Sequence, residues 1–264
     1  MDLQLADKRV LVSGSTAGIG LAIATELARE GAIVVLNGRT PQRVAQAQQQ
    51  LKAQVPHAQV SGVAADITCS AGCEQLVQAC SAVDILVNNF GIFDPQPFDT
   101  IDDDQWLHFF EANVMSGVRL ARAYLPAMKA AGWGRIVFIN SESGINPPTE
   151  MIHYGMSKAA QLSVSRGLAQ SCAGTGVTVN AVLPGPTKTE GVATFFDKLA
   201  LEQGIDLAEA ERRFFAHARP TSLLKRFIDP SEVAALVTYV CSPRSAATNG
   251  AALRVEGGIL SSMC

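Results

Sequence analysis

The sequence predicts an α/β fold of the doubly wound type, in which a parallel sheet carries helices on both faces. Two observations support this prediction. Short apolar runs alternate along the chain with segments of helical periodicity, and the apolar runs are continuous rather than interrupted by polar residues. Continuous apolar strands are typical of a sheet that is buried on both faces, and right-handed crossover helices provide that cover.

The predicted elements follow one another from the N-terminus. The apolar run at residues 9–12 precedes a helical pattern at 18–31, and the run at 33–36 precedes one at 41–54. The remaining predicted strands are residues 60–65, 84–89, 135–139, 177–185 and 251–258. About seven parallel strands separated by helices describe a doubly wound sheet of Rossmann type, whose ligands bind at the carboxyl ends of the strands.

Length and composition indicate one domain that spans residues 1–264. The chain is 17% charged and 48% hydrophobic, with a formal net charge of -3, as expected of a globular protein with a sizeable core. Its mild acidity argues against nucleic-acid binding. Residues 1–9 lack the apolar region of a signal peptide, and no apolar run reaches membrane-spanning length, so we expect a cytoplasmic protein with no membrane partner.

Three of the six cysteines lie close together, at Cys69, Cys73 and Cys80. Zinc sites usually combine closely spaced cysteine pairs with further cysteine or histidine ligands. This cluster has neither a C-x-x-C pair nor a histidine partner beside it. We therefore interpret these residues as ordinary thiols and expect no metal site.

A serine, a tyrosine and a lysine are the candidate catalytic groups. Tyr154 and Lys158 lie four residues apart in a helical pattern and therefore share one helix face. An ammonium group beside a phenol favours the phenolate, so we expect Lys158 to lower the pKa of Tyr154 towards the working range of a general acid and base. Ser141 follows the apolar run at 135–139, which would put its hydroxyl at the carboxyl end of a strand. Ser141 would then polarise a carbonyl group that Tyr154 protonates.

The order of motifs along the chain extends this prediction. A glycine-rich turn, the sequence NNFG at 88–91, the serine, the YxxxK pair and the sequence PG at 184–185 follow one another between residues 8 and 258. This pattern resembles the short-chain dehydrogenase/reductase family, including its 3-oxoacyl-[acyl-carrier-protein] reductase-like members. The resemblance implies an oxidoreductase that interconverts a carbonyl and a secondary alcohol by hydride transfer, with Tyr154 as general acid and base.

The glycine-rich turn at residues 13–20 directly follows the first predicted strand and opens a helix. Free N–H groups at a helix N-terminus favour anions such as a pyrophosphate, and glycines let the backbone approach it closely. We therefore predict that this turn binds a dinucleotide cofactor, and its G-x3-G-x-G spacing is similar to that of the family. The predicted contacts are Gly14, Ser15, Thr16, Gly18, Ile19 and Gly20.

The second predicted strand ends at the residues that select between NAD and NADP. NAD enzymes place a carboxylate there, whereas this chain has Gly38 followed by Arg39 and Thr40. A guanidinium group pairs with the 2′-phosphate of NADP and can stack on adenine. We therefore predict NADP(H), with Arg39 as the main contact and Thr40 or Asn37 as helpers. The alternative is that Arg39 is a solvated loop charge.

The resemblance implies cofactor contacts at further strand ends. Asp66 and Ile67 resemble the family's adenine-contacting position, and Asn88 and Gly91 belong to the motif after the fourth strand. Asn88 would connect strands or touch the adenine ribose, whereas Phe90 replaces the family's alanine and would crowd or line the ribose pocket. The implied contacts near the nicotinamide are Pro184, Gly185, Thr187 and Thr189, together with Tyr154 and Lys158.

Two side chains near the catalytic pair receive different predictions. Asn113 lies in a predicted helix, and the resemblance implies that it is a fourth catalytic member, which kinks the helix and holds a water molecule beside Lys158. His153 directly precedes the tyrosine, and adjacent residues of a helix point to different faces. We therefore do not expect His153 to act as a general base.

Residues 190–220 form a helical insertion between the sixth strand and the last helix. The resemblance implies a segment that covers the substrate and often moves. Its apolar side chains would either form a lid over the carbonyl group or belong to the core or to an oligomer contact. These side chains are Val192, Phe195, Phe196, Leu199, Phe214 and Phe215.

The sequence defines the substrate and the partners less narrowly than it defines the cofactor. Carrier-protein reductases of the family place arginines before two strands where this chain has Gly132 and Thr175. Their absence disfavours an acyl carrier and leaves a small or medium apolar ketone, or its alcohol, as an equally good expectation. The alternative functions are an NAD-linked alcohol dehydrogenase and a cofactor-binding regulatory protein without catalysis. The resemblance also implies a homo-oligomer, either a homotetramer or a dimer.

Overall fold

The strands of the computed structural model lie side by side in one sheet. Residues 1–263 are described, and Cys264 and the side chain of Phe195 lie outside the described residues. The strands are β1 (Arg9–Val12), β2 (Ile33–Gly38), β3 (Val60–Ala64), β4 (Ile85–Asn88), β5 (Gly134–Ile139), β6 (Val177–Pro184) and β7 (Ala252–Val255). They pair in parallel in the order β3-β2-β1-β4-β5-β6-β7. The strand order reverses between β1 and β4, which creates the crevice at which doubly wound sheets bind ligands.

Helices connect the strands and cover both faces of the sheet. They are α1 (Gly18–Arg29), α2 (Pro41–Gln54), α3 (Ser70–Ala79), α4 (Asp103–Phe110), α5 (Ser116–Ala131), α6 (Ile152–Ser171), α7 (Glu190–Gln203), α8 (Leu207–His217) and α9 (Pro230–Cys241). Local chemistry marks their ends. Asp229 caps α9 in a capping box with Glu232, and α5 ends at Gly132 with φ of 67°, the left-handed conformation that favours glycine. The predicted α/β fold of Rossmann type is confirmed.

Successive residues of each strand point to opposite faces of the sheet, and this divides the core into two layers. In β1, Val10 packs with Ile23 of α1 and Val237 of α9, whereas Leu11 packs with Leu120 of α5 on the other face. All five side chains are fully buried. Each contributes roughly 1.5–3 kcal/mol of hydrophobic stabilisation. The continuous apolar runs of the sequence therefore specify a sheet that is buried on both faces.

Most strands end at other residues than predicted, and β4 and β7 show the reason. The fourth predicted strand spans residues 84–89, but pairing with β5 stops at Asn88, where the chain turns so that Asn89 donates to the Val87 carbonyl. The seventh was predicted at residues 251–258, but Gly257 and Gly258 have φ of 69° and 73°. Strand residues have negative φ, so β7 ends before these glycines.

The helical insertion at residues 190–220 folds into α7 and α8. Phe196 and Phe215 are 7% and 2% exposed and pack with Phe214 and Phe227, with ring centroids 4.9–5.4 Å apart. Val192 and Leu199 pack against the same cluster. These side chains cover one another as a small separate core, which agrees with the second alternative, whereas a lid formed by residues 190–220 stays a prediction. The predicted role of Phe195 lies outside the described residues.

The described cysteines are free thiols, with Cys69 exposed and Cys73 and Cys80 buried. Burial raises the pKa of Cys73 and of Cys80. Within residues 1–263, no group of three His, Cys, Asp or Glu side chains is placed to hold a metal ion. In the same range, no helix is long and apolar enough to span a bilayer.

Candidate active site

The glycine-rich turn packs tightly against neighbouring backbone. Gly14 has φ of 60°, which favours glycine, and a Cβ there would lie 3.0 Å from Phe90 Cα. Gly20, in the first turn of α1, is more crowded, since a Cβ would lie 2.4 Å from Asn89 Nδ2 and 2.6 Å from the Gly14 carbonyl oxygen. Neither position has room for a side chain. The backbone N–H groups where α1 begins are therefore not covered by side chains, as an anion site at a helix N-terminus requires.

Two predicted cofactor contacts in this turn serve the protein itself. The Ser15 hydroxyl donates to the Val12 carbonyl (2.7 Å) and accepts from the Asn37 N–H (3.0 Å). The Ser15 N–H donates to the Asn37 carbonyl (2.9 Å), so both polar groups that a cofactor would use are occupied. The Thr16 side chain packs on Gly38, where a Cβ would lie 2.3 Å from Thr16 Cγ2. These residues join the turn to β2.

Asn37 was predicted as a helper at the 2′-phosphate, and this is wrong. Its side chain is buried, accepts from the Gly14 N–H (3.2 Å) and donates to the Ala65 carbonyl (3.1 Å). It therefore links the turn to the ends of β2 and β3. A polar residue at the end of an otherwise apolar strand was the signal for this role, because a buried amide must satisfy its hydrogen bonds within the protein.

The residues after β2 surround the N-terminus of α2. Arg39 and Thr40 are exposed, and Thr40 caps the helix by accepting from the Arg43 N–H (3.3 Å). Arg43 lines the cavity described below together with Gly18. Sequence reasoning missed Arg43, although its position in the first turn of α2 was visible in the helical pattern. One guanidinium group, that of Arg43, thus lines the cavity, and Arg39 is exposed four residues earlier in the chain.

The third strand end lies away from this cavity. Asp66 is exposed, and its carboxylate accepts from the N–H (3.1 Å) and the hydroxyl (2.8 Å) of Thr68. The Ile67 side chain is buried in the core. An adenine contact by these two residues remains a prediction, in which only the Asp66 carboxylate and the backbone are accessible.

At the end of β4, Asn89 has the role that was predicted for Asn88. The Asn88 side chain is buried and neither of its polar atoms has a hydrogen-bond partner among the described residues. Asn89 instead donates to the carbonyl groups of Ser13 and Gly14, both at 3.0 Å. Phe90 packs against the core and over Gly14. Its ring is not among the cavity walls, whereas Gly91 is.

The segment after β6 closes the cavity from the opposite side. The Thr187 side chain is buried and donates to the Gly185 carbonyl (2.8 Å), and Pro184 is the last residue of β6. Thr189 caps α7 by accepting from the Val192 N–H (3.4 Å). Thr189 lines the cavity, and its methyl group faces Gly18, where a Cβ would lie 3.1 Å away.

Helix α6 carries the tyrosine and the lysine into the cavity. Lys158 is 3% exposed, and its Nζ donates to the Ile139 carbonyl at the end of β5 (3.0 Å). The same Nζ lies 5.7 Å from the centroid of the Tyr154 ring. Burial lowers the pKa of Lys158 to about 8, because an ammonium group loses hydration inside the protein.

The expectation that Lys158 lowers the pKa of Tyr154 is wrong for this structure. Burial raises the pKa of Tyr154, and the negative charge of Glu142 raises it further, whereas a hydrogen bond with Ser141 acts in the opposite direction. The reason is that burial disfavours both charged forms, the phenolate and the ammonium group. Tyr154 is therefore a neutral phenol near neutral pH.

Ser141 follows β5 as predicted and begins a short 3-10 turn, Glu142–Gly144. Its oxygen accepts from the Ser143 N–H (3.1 Å), and its hydroxyl donates to the Glu142 carboxylate (2.6 Å). Glu142 is 5% exposed. Sequence reasoning missed this carboxylate, which stands directly beside the candidate catalytic serine.

Asn113 lies in a π-helical turn, Glu111–Met115, that joins α4 to α5. Its side chain accepts from the Ile92 N–H (2.7 Å) and donates to the Ile92 carbonyl (3.0 Å) and to Ser157 Oγ (2.9 Å). Its own carbonyl accepts from Gln161 Nε2 (3.1 Å). Asn113 thus clamps the loop after β4 to α6, and its carbonyl already has a protein partner.

His153 faces away from the catalytic pair, as predicted. Its ring packs 4.0 Å from that of Phe109 and 6.0 Å from that of Trp106, measured between centroids. It is fully buried, and neither ring nitrogen has a hydrogen-bond partner among the described residues. Burial lowers its pKa. A general-base role at the cavity is excluded by this position.

A cavity of about 500 Å³ connects these groups. At one end it is lined by Gly18, Gly20 and Arg43, and at the other by Tyr154 and Lys158. Its volume is that of a site for a medium-sized organic molecule. The bare glycine backbone, the guanidinium group and the buried proton donor fit the pyrophosphate, the ribose phosphate and the reactive ring of a nicotinamide dinucleotide.

Sequence comparisons agree with this description. A family model for short chain dehydrogenase matches residues 8–200. The chain is 50% identical over 263 residues to the uncharacterised oxidoreductase YvaG of Bacillus subtilis, with 100% of both chains covered. It is also 31% identical to the D-beta-hydroxybutyrate dehydrogenase of Cupriavidus necator, over 96% of this chain and 98% of that enzyme.

Among solved structures, the chain is similar to the L-sorbose reductase of Gluconobacter frateurii complexed with NADPH and L-sorbose. The TM-score is 0.94 at 31% sequence identity, and 100% of both chains is covered. The likeness therefore extends over the whole sheet and over α7 and α8.

Proposed function

The chain belongs to the short-chain dehydrogenase family, and we propose that it is an NADP(H)-dependent oxidoreductase that interconverts a carbonyl group and a secondary alcohol. One observation carries this proposal. The glycine turn and the Tyr154–Lys158 pair form opposite ends of a single cavity. A dinucleotide needs an anion-binding turn at one end and a proton donor beside its reactive ring at the other, and both are present.

Tyr154 is the general acid of the proposed reaction. The raised pKa of Tyr154 keeps the phenol protonated near neutral pH, which is the form that donates a proton to a carbonyl oxygen. The bound cofactor supplies a hydride to the carbonyl carbon. Lys158, with a pKa of about 8, exchanges protons near the same pH and resupplies the phenol. These protonation states support reduction as the favoured direction.

Ser141 and Asn113 complete the proposed catalytic set with different tasks. Ser141 donates a hydrogen bond to the carbonyl oxygen and so stabilises the negative charge that develops there. Asn113 is a positioning residue, because its contacts are with Ile92, Ser157 and Gln161. These contacts hold the Gly91–Ile92 wall of the cavity against the helix that carries Tyr154.

The preference for NADP over NAD rests on the end of β2. A carboxylate side chain at position 38 would clash with Thr16, since even a Cβ would lie 2.3 Å from its methyl group. Arg39 follows this glycine, and Arg43 lines the cavity. Guanidinium groups form bidentate hydrogen bonds with phosphate, so these two arginines can bind the 2′-phosphate. The NADPH complex of the similar L-sorbose reductase supports the same choice.

For the substrate, we propose a neutral ketone that carries hydroxyl groups. The cavity walls include Phe93, Glu190 and Thr194, and Glu142 lies behind Ser141, so the site contains carboxylate and hydroxyl groups in addition to Lys158. A purely apolar ketone is therefore less suitable than expected from the sequence. The likeness to an L-sorbose reductase supports a hydroxylated ketone. A 3-hydroxy acid is the second candidate, because of the identity to a D-beta-hydroxybutyrate dehydrogenase.

The decisive experiment combines a substrate panel with Tyr154→Phe. NADPH oxidation is followed with L-sorbose, related ketoses, simple alkyl ketones and 3-oxobutyrate. We expect turnover with ketoses in the wild type and a loss of about 10²–10⁴-fold in Tyr154→Phe, with NADPH binding retained. Tyr239→Phe, the same change on an exposed tyrosine of α9, is the matched control.

Two outcomes contradict the proposal. A Tyr154→Phe variant as fast as the wild type would refute the mechanism. Tight NADPH binding without turnover of any carbonyl would favour the non-catalytic, regulatory alternative.

Cofactor choice is tested by fluorescence titration with NADPH and NADH. We expect Arg39→Ala and Arg43→Ala each to weaken NADPH binding about 10-fold, from the loss of roughly 1.5 kcal/mol of charge-assisted hydrogen bonding, with NADH little changed. Arg244→Ala, an exposed arginine after α9, controls for the loss of one positive charge. Equal or tighter binding of NADH by the wild type would favour an NAD-linked alcohol dehydrogenase instead.

The organisation of the protein is part of the proposal. We propose that residues 1–264 act as one cytoplasmic domain, with residues 190–220 beside the substrate, and that the chain forms a homotetramer or dimer. Helix α4 supports an oligomer, because Leu107 and Phe110 are 65% and 38% exposed. Light scattering on the purified protein measures the mass, and a monomer at micromolar concentration would contradict this part.

A further inference from the structure

A buried carboxylate stands beside Ser141, and the mechanism above does not use it. Glu142 is 5% exposed, and its Oε2 lies 2.6 Å from Ser141 Oγ. Acidic side chains are rarely buried without a partner or a task. Its side-chain partner at hydrogen-bond distance is the candidate catalytic serine, and the backbone of Glu142 and Ser143 also contributes hydrogen bonds to the carboxylate.

The hydrogen bonds of Ser141 leave no donor for a substrate. A hydroxyl group has one proton and two lone pairs. The Ser141 oxygen accepts from the Ser143 N–H (3.1 Å), its proton is donated to Glu142, and its second lone pair is left to the hydrogen bond with Tyr154. A hydrogen bond from a hydroxyl to a carboxylate is about twice as strong as one between neutral groups. Ser141 therefore has no proton for a carbonyl oxygen while Glu142 is ionised.

Protonation of Glu142 reverses this arrangement without moving a heavy atom. A carboxylic acid donates one hydrogen bond, and the 2.6 Å contact with Ser141 serves equally well with Glu142 as the donor. The Ser141 proton then becomes available to a substrate in the cavity. The negative charge that would repel a developing alkoxide is removed in the same step.

Two charged groups and one neutral phenol bear on the protonation of Glu142. Arg219, after α8, has its Nε 3.7 Å from Glu142 Oε1 and favours the carboxylate. Arg219 is shared, because its Nη1 donates to Glu150 at 3.0 Å. Tyr154 faces Glu142 from α6 and is a neutral phenol. Burial raises the pKa of Glu142 despite Arg219 and the Ser141 hydrogen bond.

We propose that Glu142 is a positioning residue that sets the direction of the Ser141 hydrogen bond: the acid form frees Ser141 to donate to the substrate carbonyl, and the carboxylate form withholds it. Arg219 and Glu150 set the pH at which the change occurs. Because Arg219 follows α8, the same contact links the α7–α8 segment to the catalytic serine. The inference rests on the proposed reductase function.

The test is the pH profile of kcat/KM for ketone reduction in four variants. In the wild type, activity falls as pH rises and Glu142 ionises. In Glu142→Gln this fall is lost, and only the fall from deprotonation of Lys158 remains. Arg219→Gln moves the wild-type fall to higher pH by roughly one to two units, as expected for loss of an opposite charge at this distance. The same change in a Glu142→Gln background shifts nothing.

Glu150→Gln is the matched control, and its expected effect has the opposite sign. Glu150 is an exposed partner of Arg219 with no contact to Ser141. Its neutralisation leaves Arg219 free to hold the Glu142 charge, so the fall moves to lower pH by less than the Arg219→Gln shift. A structural role of the Arg219 contacts would move both variants in the same direction.

Infrared spectroscopy provides a readout that does not depend on turnover. The C=O stretch of a protonated carboxylic acid, titrated by pH in the wild type, should be absent in Glu142→Gln and persist to higher pH in Arg219→Gln. The inference is overturned if Glu142→Gln keeps the wild-type pH profile, if it is inactive at every pH while folded and able to bind NADPH, or if Arg219→Gln shifts neither signal. Failure of the proposed function is distinct, because it appears as turnover that survives Tyr154→Phe.

Discussion

The two ends of the cavity differ in the chemical groups that form them. The glycine turn consists of backbone and short side chains, and crowding at Gly14 and Gly20 sets its shape. The catalytic end consists of long polar side chains that are almost fully buried, with Lys158 and Glu142 at 3% and 5% exposure. The turn therefore recognises its ligand by geometry at any pH, whereas the catalytic end depends on which groups carry a proton.

This difference also separates the two ends energetically. A tight backbone turn stabilises the fold, because its donors and acceptors are paired within the sheet. Burial of ionisable groups does the reverse, since it disfavours their charged forms. We expect substitutions at the turn to lower both stability and cofactor binding. Substitutions at the catalytic end should lower activity and raise stability.

The largest expected effect is that of Lys158→Met. Its folded-state pKa is lowered from 10.5 to about 8, which corresponds to about 3 kcal/mol. The unfolded chain binds the extra proton between these values, so wild-type stability rises with pH in this window. Below about pH 8 the variant should be more stable by up to that amount, and the gain should vanish near pH 10.5. Turnover should fall by at least about 10²-fold.

Denaturant unfolding at several pH values measures the difference in stability between Lys158→Met and the wild type. Lys129→Met is the matched control, because Lys129 also donates to a backbone carbonyl, that of Ser171, but is exposed. A Lys158→Met variant that is less stable than the wild type at neutral pH would remove the contrast between the two ends of the cavity.

Gly20→Ala tests the turn. The added methyl group would meet Asn89 Nδ2 and backbone atoms of Gly14 and Ser15, so we expect a loss of roughly 1–3 kcal/mol from overpacking together with weaker NADPH binding. The loss should be the same at pH 6 and pH 8, because no ionisable group is involved. Thermal unfolding and NADPH titration measure both effects.

Gly167→Ala is the control for this substitution. Gly167 also lies in a helix, α6, and a Cβ there would meet nothing within 4 Å. Helix propensity alone should stabilise that variant by up to about 1 kcal/mol. If both alanine variants behave alike, crowding is not what shapes the turn.

His153→Leu has the smallest expected effect. It tests how burial of an ionisable group changes stability at a residue that has no catalytic role. The His153 pKa is lowered by burial, so the unfolded state binds more protons below about pH 6.5 and wild-type stability declines as the solution becomes acidic. The variant should gain roughly 1 kcal/mol, since it removes two unpaired buried nitrogens, and the gain should grow towards pH 5. His108→Leu, on the exposed side of α4, is the control, because it removes an imidazole without removing buried nitrogens. Unfolding curves at pH 5 and pH 8 compare the two.

Much of the fold followed from the sequence because strands and helices have local signatures. The continuous apolar runs predicted β1 to β7, and their alternation with helical patterns predicted that the strands are parallel. Only strand ends were misjudged, where Gly257 and Gly258 adopt positive φ. The choice between an apolar lid and a core was left open, because the pattern of aromatic residues in α7 and α8 does not reveal that Phe196, Phe214 and Phe227 cover one another.

Site residues divide in the same way. The glycine turn, the YxxxK pair and the serine could be located from spacing, because each depends on a single strand end or helix face. Asn37, Asn89, Arg43 and Glu142 were missed or given other roles. Their partners lie on other elements or on the surface of the cavity, as when Asn89 donates to Ser13 across 76 positions, and no local pattern marks such pairs.

By itself, then, the sequence determined the order of elements, the bare backbone at the head of α1, and the placement of Tyr154 and Lys158 on one helix face. These properties depend on backbone geometry, which short segments encode. Only the tertiary structure decided the charge states: burial keeps Tyr154 neutral, brings the Lys158 pKa to about 8 and raises the pKa of Glu142. Proton affinity depends on hydration and on the charges nearby, and both are known only once distant parts of the chain have packed together.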